Sequence, residues 1–203
     1  MSSYDTYLSP MQYKGYNISL MYERWKMTGL ADGNISAQHL LNIDFAETKN
    51  PTETAIGYTG SLEYDYSLHY RFRFENNLRL FAGMQANLFG GFNHNTRNGN
   101  NPATPKVNLN LGLSGIALWS FRIKSQPIQL RYQLNLPFAG AMYASDYGMS
   151  YYEMDMNGYR DIVHFASFHN QLMMKNIFTV ELPFRSAYIL RLSYINNLYE
   201  TYI

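Results

Sequence analysis

The clearest pattern in the chain is a two-residue alternation of apolar and polar side chains over residues 60–74. One set is apolar or aromatic: Leu62, Tyr64, Tyr66, Leu68, Tyr70, Phe72 and Phe74. The other set is polar and carries both signs of charge: Ser61, Glu63, Asp65, Ser67, His69, Arg71 and Arg73. Successive side chains of a strand point to opposite faces, so the segment predicts a strand with one apolar and one ionic face. It is longer than the roughly 5–6 residues of an average soluble strand, and it satisfies the about 9–11 residues that a tilted strand needs to cross a bilayer.

The same alternation recurs along the chain and predicts about eight antiparallel strands in total. The other segments lie at residues 16–22, 35–45, 78–88, 107–123, 128–138, 163–182 and 188–194. The segment at 163–182 is the least regular, and we expect a β-bulge within it. No window fits the helical period better than the period of two.

Short connections alternate with long ones, and the longest irregular segments are at residues 90–105 and 144–161. Short periplasmic turns opposite long extracellular loops are typical of bacterial outer-membrane barrels. The polar face holds Asn, Gln, Ser and Arg, which suit a packed hydrophilic lumen better than a solvent-facing surface. We therefore predict an all-β fold, an antiparallel up-and-down transmembrane β-barrel of about 8–10 strands with a filled polar lumen. A soluble barrel or sandwich, whose polar face would be rich in Lys and Glu, is the alternative.

Composition supports a membrane location and excludes several other classes. The 203-residue chain has a formal net charge of +1, which gives no electrostatic basis for binding nucleic acid. Charged residues make up 15% of it, against about 25% in typical soluble domains, and its 19 Tyr residues suit membrane interfaces. Cysteine is absent, which excludes disulfides and thiolate metal sites, and no cofactor is predicted. The predicted location is the outer membrane of a Gram-negative bacterium, with outer-membrane lipid or lipopolysaccharide as the surroundings.

The two ends of the chain are predicted to be atypical of a complete barrel. We expect residues 1–203 to form one barrel domain, with residues 1–12 as an N-terminal extension. The start has neither the basic nor the apolar region of a signal peptide. The last residues, Asn-Leu-Tyr-Glu-Thr-Tyr-Ile, lack the alternation expected of a closing strand. We expect a signal peptide and a final strand to lie outside this chain.

Several phrases of the sequence together carry a family resemblance. They are Asp-Thr-Tyr-Leu-Ser-Pro at 5–10 with Tyr-Lys-Gly at 13–15, Asn-Thr-Arg-Asn-Gly-Asn-Asn-Pro at 95–102, Leu-Pro-Phe-Ala-Gly at 136–140, Tyr-Gly-Met-Ser-Tyr-Tyr-Glu at 147–153 and Phe-His-Asn-Gln at 168–171. They resemble DUF3316, a group of Bacteroidetes outer-membrane proteins of unknown function. The resemblance spans most of the chain and implies an exported outer-membrane barrel with a further C-terminal strand. It implies no activity.

Two loops carry the candidate binding residues, which are Asn95, Arg97, Asn98 and Asn100 in the first and Asp146, Tyr147, Tyr151, Tyr152 and Glu153 in the second. The first can capture a ligand or partner at the cell surface, or it can simply fold over the barrel mouth, with Arg97 held by lumen carboxylates. The acidic and tyrosine residues of the second are conceivable ligands for calcium or sugar. Their spacing does not match an EF-hand loop, so no metal site is predicted.

A lipid-modifying hydrolase is the enzymatic alternative. Ser167 and His169 are two residues apart and so share one face of a strand, with Glu153 as a third candidate. A nucleophile and its base must lie within hydrogen-bonding reach, and a third group must orient the base. Lipase-type barrels carry the order His-x-Ser, whereas this chain has Ser-x-His, so we predict no enzymatic activity.

The charged residues of the polar face are predicted to form a lumen network: Glu63, Asp65, His69, Arg71, Arg73, Arg79, Arg122 and Arg131, which share the lumen with Glu23 and Asp44. In a narrow barrel side chains fill the interior, and buried charges of opposite sign pair. A salt-bridged plug is expected, and a small pore is the alternative. The predicted function is a non-enzymatic outer-membrane barrel, a structural or accessory subunit of a larger complex that contacts other outer-membrane proteins.

Overall fold

The computed structural model describes residues 1–74, 77–99, 102–144, 151–156, 162–184 and 188–202. Within these residues it contains ten strands and one short helix. They are β1 (Ser2–Ser3), β2 (Tyr13–Met27), β3 (Ile35–Lys49), β4 (Ile56–Arg73), β5 (Leu78–Asn95), β6 (Ala103–Ile123), β7 (Gln126–Tyr143), α1 (Tyr151–Met156), β8 (Val163–Ser167), β9 (Gln171–Phe184) and β10 (Tyr188–Thr201).

All strands belong to one antiparallel sheet in which neighbours in sequence are neighbours in space. Its order is β1-β2-β3-β4-β5-β6-β7-β9-β10, and β8 pairs with residues 139–143 of β7. This confirms the predicted all-β antiparallel class. No helix among the described residues is long and apolar enough to cross a membrane.

Strands β8 and β9 are two parts of one interrupted strand beside β7. In β8, Ser167 pairs with Ala139, and in β9, Lys175 pairs with Asn135. A turn over residues 168–170 separates the two parts, and there the Asn170 side chain accepts a hydrogen bond from the Ser167 N–H at 3.0 Å. The irregularity expected within residues 163–182 is therefore at this turn.

The two faces of the sheet have inverted polarity relative to a water-soluble protein. Along β4, Asp65 is 1% and His69 is 0% exposed, whereas Leu62 is 51% exposed. The sheet curls so that the polar face lies inside, because Gln38 of β3 contacts Gln133 of β7 across it. We call the inward set the polar interior and the outward set the apolar wall.

Glycine permits the close approach of strands that this curl requires. A Cβ atom on Gly83 of β5 would overlap the carbonyl oxygen of Leu68 on β4, so any larger residue there would push the two strands apart. Gly90 of the same strand has open space around it. Glycine within a strand often marks such a site of close backbone approach.

Strand β1 covers only Tyr13 and Lys14 of β2, so the rest of β2 forms one edge of the sheet and β10 forms the other. These two edges are not paired with each other in the described residues. Outward side chains of β2 are accordingly the most exposed, with Tyr16 at 90% and Ile18 at 77%. An ion pair of 2.8 Å between Arg191 Nη1 of β10 and Glu23 Oε2 of β2 bridges the gap. We call this gap the seam.

The two ends of the curled sheet differ. At one end, which we call the turn end, β2, β4, β6 and β9 end. At the other, which we call the loop end, β2 begins and β3, β5, β7 and β10 end. Residues 1–12 lie across the loop end. There the Asp5 carboxylate accepts a hydrogen bond from Asn93 at 2.7 Å and lies 3.7 Å from Lys106 Nζ.

The expected loop at 90–105 is shorter than predicted. β5 continues to Asn95 and β6 begins at Ala103, so the connection covers only residues 96–102. The reason is that the two-residue alternation persists through the asparagine-rich stretch. Asn93 and Asn95 are buried on the inner face, where they bond Asp5 and Tyr13.

Candidate functional site

A buried arginine–glutamate pair occupies the polar interior near the turn end. Both Arg131 Nη atoms of β7 donate to the Glu23 carboxylate of β2, at 2.9 and 2.6 Å. Gln38 also donates to Glu23 Oε1 at 2.6 Å, and the Arg131 guanidinium lies 4.9 Å from the Trp25 ring centroid. Bidentate hydrogen bonding between an arginine and a carboxylate fixes the relative orientation of the two side chains in addition to pairing their charges.

A second cluster is centred on Lys175 of β9. Its Nζ lies 2.8 Å from Glu63 Oε2 and 2.6 Å from Asp65 Oδ2, both on β4. Asn87 of β5 donates to the other oxygen of each carboxylate, at 2.8 and 2.6 Å. Since Glu63 and Asp65 are two residues apart on one strand, they share a face, and the lysine sits between them.

Neutral side chains connect the two charged clusters. Gln38 and Gln133 exchange a reciprocal pair of amide hydrogen bonds, each of 2.9 Å. Gln133 donates to Asn135 Oδ1 at 3.0 Å, Ser114 donates to the same oxygen at 2.7 Å, and His69 Nε2 lies 2.7 Å from the Ser114 hydroxyl. Asn135 Nδ2 also donates to Asp65 Oδ2 at 3.5 Å, so hydrogen bonds run continuously from one charged cluster to the other. Two buried nitrogens of the network, His69 Nδ1 and Arg131 Nε, have no partner in the described residues.

The structure brings together only part of the predicted lumen network. Glu63, Asp65, His69 and Arg131 lie in the hydrogen-bonded groups just described, whereas Arg71, Arg79 and Arg122 do not. Arg71 donates to Asn34 Oδ1 at 3.0 Å at the turn end. Arg79 is exposed and donates to Ser120 at 3.4 Å, Arg122 is exposed, and the Arg73 side chain lies outside the described residues.

Several residues that complete the interior are missing from the predicted network, among them Gln38, Gln133 and Lys175. Gln38 and Gln133 stand at polar-face positions of the alternation, but their pairing joins residues 95 apart in sequence, which no local pattern reveals. Lys175 lies on the interrupted strand. Because of the turn at residues 168–170, the sequence alternation does not tell which residues of β9 point inward. Lys175 lies next to two carboxylates of β4 because the order and the curl of the strands bring β9 opposite β4.

The first predicted binding loop is tied down by local hydrogen bonds. Arg97 Nη1 donates to Thr54 Oγ1 at 2.7 Å, which joins the loop to the 50–55 connection instead of to interior carboxylates. Asn95 Oδ1 accepts the Arg97 N–H at 3.0 Å, and the Asn98 N–H bonds the Asn95 carbonyl at 3.3 Å. Asn100 lies outside the described residues. This arrangement matches a self-packed loop.

Little of the second predicted loop falls within the described residues. Asp146 and Tyr147 lie outside them, as do the side chains of Tyr151 and Glu153. Tyr152, on α1, is 72% exposed. Among the described residues, no group of three or more His, Cys, Asp or Glu side chains could hold a metal ion.

The candidate hydrolase residues are not assembled in the described part of the chain. Ser167 ends β8, and the His169 ring, in the turn that follows, stacks on Phe165 with centroids 6.3 Å apart. No hydrogen bond joins Ser167 and His169 there, and the backbone N–H of Ser167 is held by Asn170.

No curated protein and no solved structure matches this chain. A family model described as "Protein of unknown function (DUF3316)" matches residues 1–203. The resemblance carried by the sequence phrases is thereby confirmed at the level of the family, and the chain belongs to the DUF3316 family.

Proposed function

We propose that this protein is a non-enzymatic β-barrel of the outer membrane of a Gram-negative bacterium, acting as a structural or accessory subunit of a larger membrane complex. The observation that carries this proposal is the inverted polarity of the sheet. The interior holds ion pairs and amide chains, whereas the outward face is an apolar wall. A bilayer supplies the apolar surroundings that this wall requires.

The size of the apolar wall favours lipid over water as its surroundings. Outward side chains of the three adjacent strands β4, β5 and β6 form one exposed apolar surface, which includes Leu62, Tyr64, Leu68, Met84, Leu88, Leu109, Leu111 and Leu113. Soluble monomers rarely expose continuous apolar patches beyond a few hundred Å². Within the sheet the backbone groups are paired between strands, as hydrocarbon surroundings require. The unpaired edges at the seam need a further pairing to meet the same requirement.

The interior supports a plug instead of a pore. The Gln38–Gln133 pair and the Arg131–Glu23 pair connect β2 and β3 with β7, so side chains span the cross-section. A filled interior leaves no continuous path for ions. The described residues show no hydrogen bond between Ser167 and His169, and we therefore prefer an accessory role to lipid hydrolysis.

Membrane insertion is the first test. The purified chain is refolded with liposomes, and the liposomes are floated on a density gradient and washed with alkaline carbonate. The proposal predicts that the protein floats with lipid, resists the wash and precipitates when detergent and lipid are both removed. A protein that stays dissolved and monomeric in plain buffer would overturn it.

The plug and the absence of enzyme activity have separate tests. In a planar bilayer the inserted protein should give no steady single-channel current, and large regular current steps would assign a pore. Incubation with lipopolysaccharide or phospholipid should release no fatty acid. If fatty acid is released and the release is abolished in Ser167→Ala or His169→Ala, the hydrolase assignment replaces ours.

A further inference from the structure

Two cations interrupt the apolar wall at one edge of the sheet. The outward residues of β2 are apolar or aromatic from Tyr16 to Tyr22, after which Arg24 and Lys26 follow next to the turn end. Both are exposed, and neither forms an ion pair in the described residues. A cation facing lipid is costly at the bilayer midplane and tolerated near its surface, so this position marks the boundary of the wall.

A groove lies beside Arg24 on the outer surface. It has a volume of about 230 Å³ and is lined by Tyr22, Arg24, His39, Leu41 and Tyr64. Arg24 of β2 and His39 of β3 are directly paired in register, and His39 pairs in turn with Tyr66 of β4. The groove therefore combines one guanidinium, one imidazole and two phenols with the apolar side chain of Leu41.

Tyrosine contacts hold His39 in place. Its Nδ1 lies 2.7 Å from the Tyr64 hydroxyl, and its ring centroid lies 4.9 Å from that of Tyr66. When Nδ1 accepts the Tyr64 O–H, Nε2 carries the proton and is a donor. That nitrogen has no partner in the described residues, so the groove offers an unused donor beside an unused guanidinium.

We infer that this groove binds the phosphate group of an anionic phospholipid, with the acyl chains lying along the apolar wall of β2. The inference rests on the proposed membrane location. Arginine suits phosphate because its planar fork can donate two parallel hydrogen bonds. Lys26 adds a second positive charge, and Ile18 and Leu20, which are 77% and 69% exposed, supply the surface for an acyl chain. Basic pockets at the membrane surface recognise anionic headgroups in this way.

Lipid preference in nanodiscs tests the inference. The protein is inserted into nanodiscs that contain equal amounts of phosphatidylglycerol and phosphatidylcholine, and lipids retained after gentle detergent extraction are counted by native mass spectrometry. Wild type should retain phosphatidylglycerol preferentially. Arg24→Ala should lower that preference about tenfold, since hydrogen bonds to charged groups contribute on this order. Tyr64→Phe, which keeps the ring and removes the His39 contact, should lower it less.

Lys14→Ala is the matched control, because Lys14 is an exposed outward cation of the same strand near the loop end. It should leave the preference unchanged, and an equal loss there would show nonspecific charge attraction and overturn the inference. An excess of inorganic phosphate should not displace the lipid, and complete displacement would assign a site for soluble phosphate instead. A protein that inserts into the nanodiscs but shows no lipid preference refutes this inference alone, whereas failure to insert refutes the membrane proposal.

Discussion

Replacing Lys175 with methionine tests whether the polar interior is as dry as its contacts indicate. Methionine keeps most of the length of the side chain and removes its charge. The Lys175 side chain is 7% exposed, and it is the only cation within 4.0 Å of Glu63 and Asp65 in the described residues. Lys175→Met therefore leaves two neighbouring carboxylates buried with only amide partners.

The size of the effect follows from the burial of both sides of the pair. Removing one partner of a buried ion pair costs about 3–5 kcal/mol, because an uncompensated buried charge is left behind. At 1.4 kcal/mol per factor of ten, the folding equilibrium should fall roughly 100- to 4,000-fold. Neutralising both carboxylates as well, in Lys175→Met/Glu63→Gln/Asp65→Asn, should recover most of that loss.

The control is Lys106→Met. Lys106 lies 3.7 Å from Asp5 with 27% of its side chain exposed, and such partly exposed pairs contribute about 0–1 kcal/mol. Urea unfolding of the protein refolded in lipid vesicles, followed by the fluorescence of Trp25 and Trp119, gives the free energy of unfolding by linear extrapolation. If Lys175→Met loses no more stability than Lys106→Met, water reaches the cluster and the argument for a dry interior is wrong.

Three further substitutions test other features, the first two by the same unfolding assay and the third by hydrogen exchange as well. Gly83→Ala should cost about 1–3 kcal/mol by forcing β4 and β5 apart, whereas Gly90→Ala in the same strand, with open space around it, should cost far less. Tyr13→Phe should cost about 1–3 kcal/mol by leaving the buried Asn95 amide without its 3.0 Å partner, whereas Tyr16→Phe, at a 90% exposed site, should change nothing. Arg191→Ala should accelerate hydrogen exchange in β10 and reduce global stability by no more than about 1 kcal/mol; unchanged exchange would show that the Glu23 bridge does not hold the seam.

Much of the fold follows from the alternation because the period of a strand assigns every residue to a face. Glu63, Asp65 and His69 are inward and Leu62 is outward, as residues 60–74 indicate. The period says less about where a strand stops. Asn95 was expected in a loop, yet it is the last residue of β5, because burial against Tyr13 favours strand where composition alone favours a turn.

The partners within the interior could not be predicted from the sequence. Lys175 meets Asp65 across 110 residues, and Arg131 meets Glu23 across 108. Such contacts depend on the order and curl of the strands, which a face pattern leaves open. The outward groove at Arg24 was equally hidden, because His39 interrupts the apolar pattern of its strand without indicating which neighbour it contacts.

The seam has a consequence for what can close the sheet. β2 and β10 are joined by a succession of antiparallel neighbours that leaves them running in opposite directions. Direct pairing of the two edges would thus keep every neighbour antiparallel, as would the insertion of an even number of strands. A single inserted strand would run parallel to one edge, which requires a different, slanted hydrogen-bond pattern on that side. Even numbers of antiparallel strands are usual in bacterial outer-membrane barrels. The opposite directions of the two edges therefore favour a barrel that closes directly or through an even number of added strands.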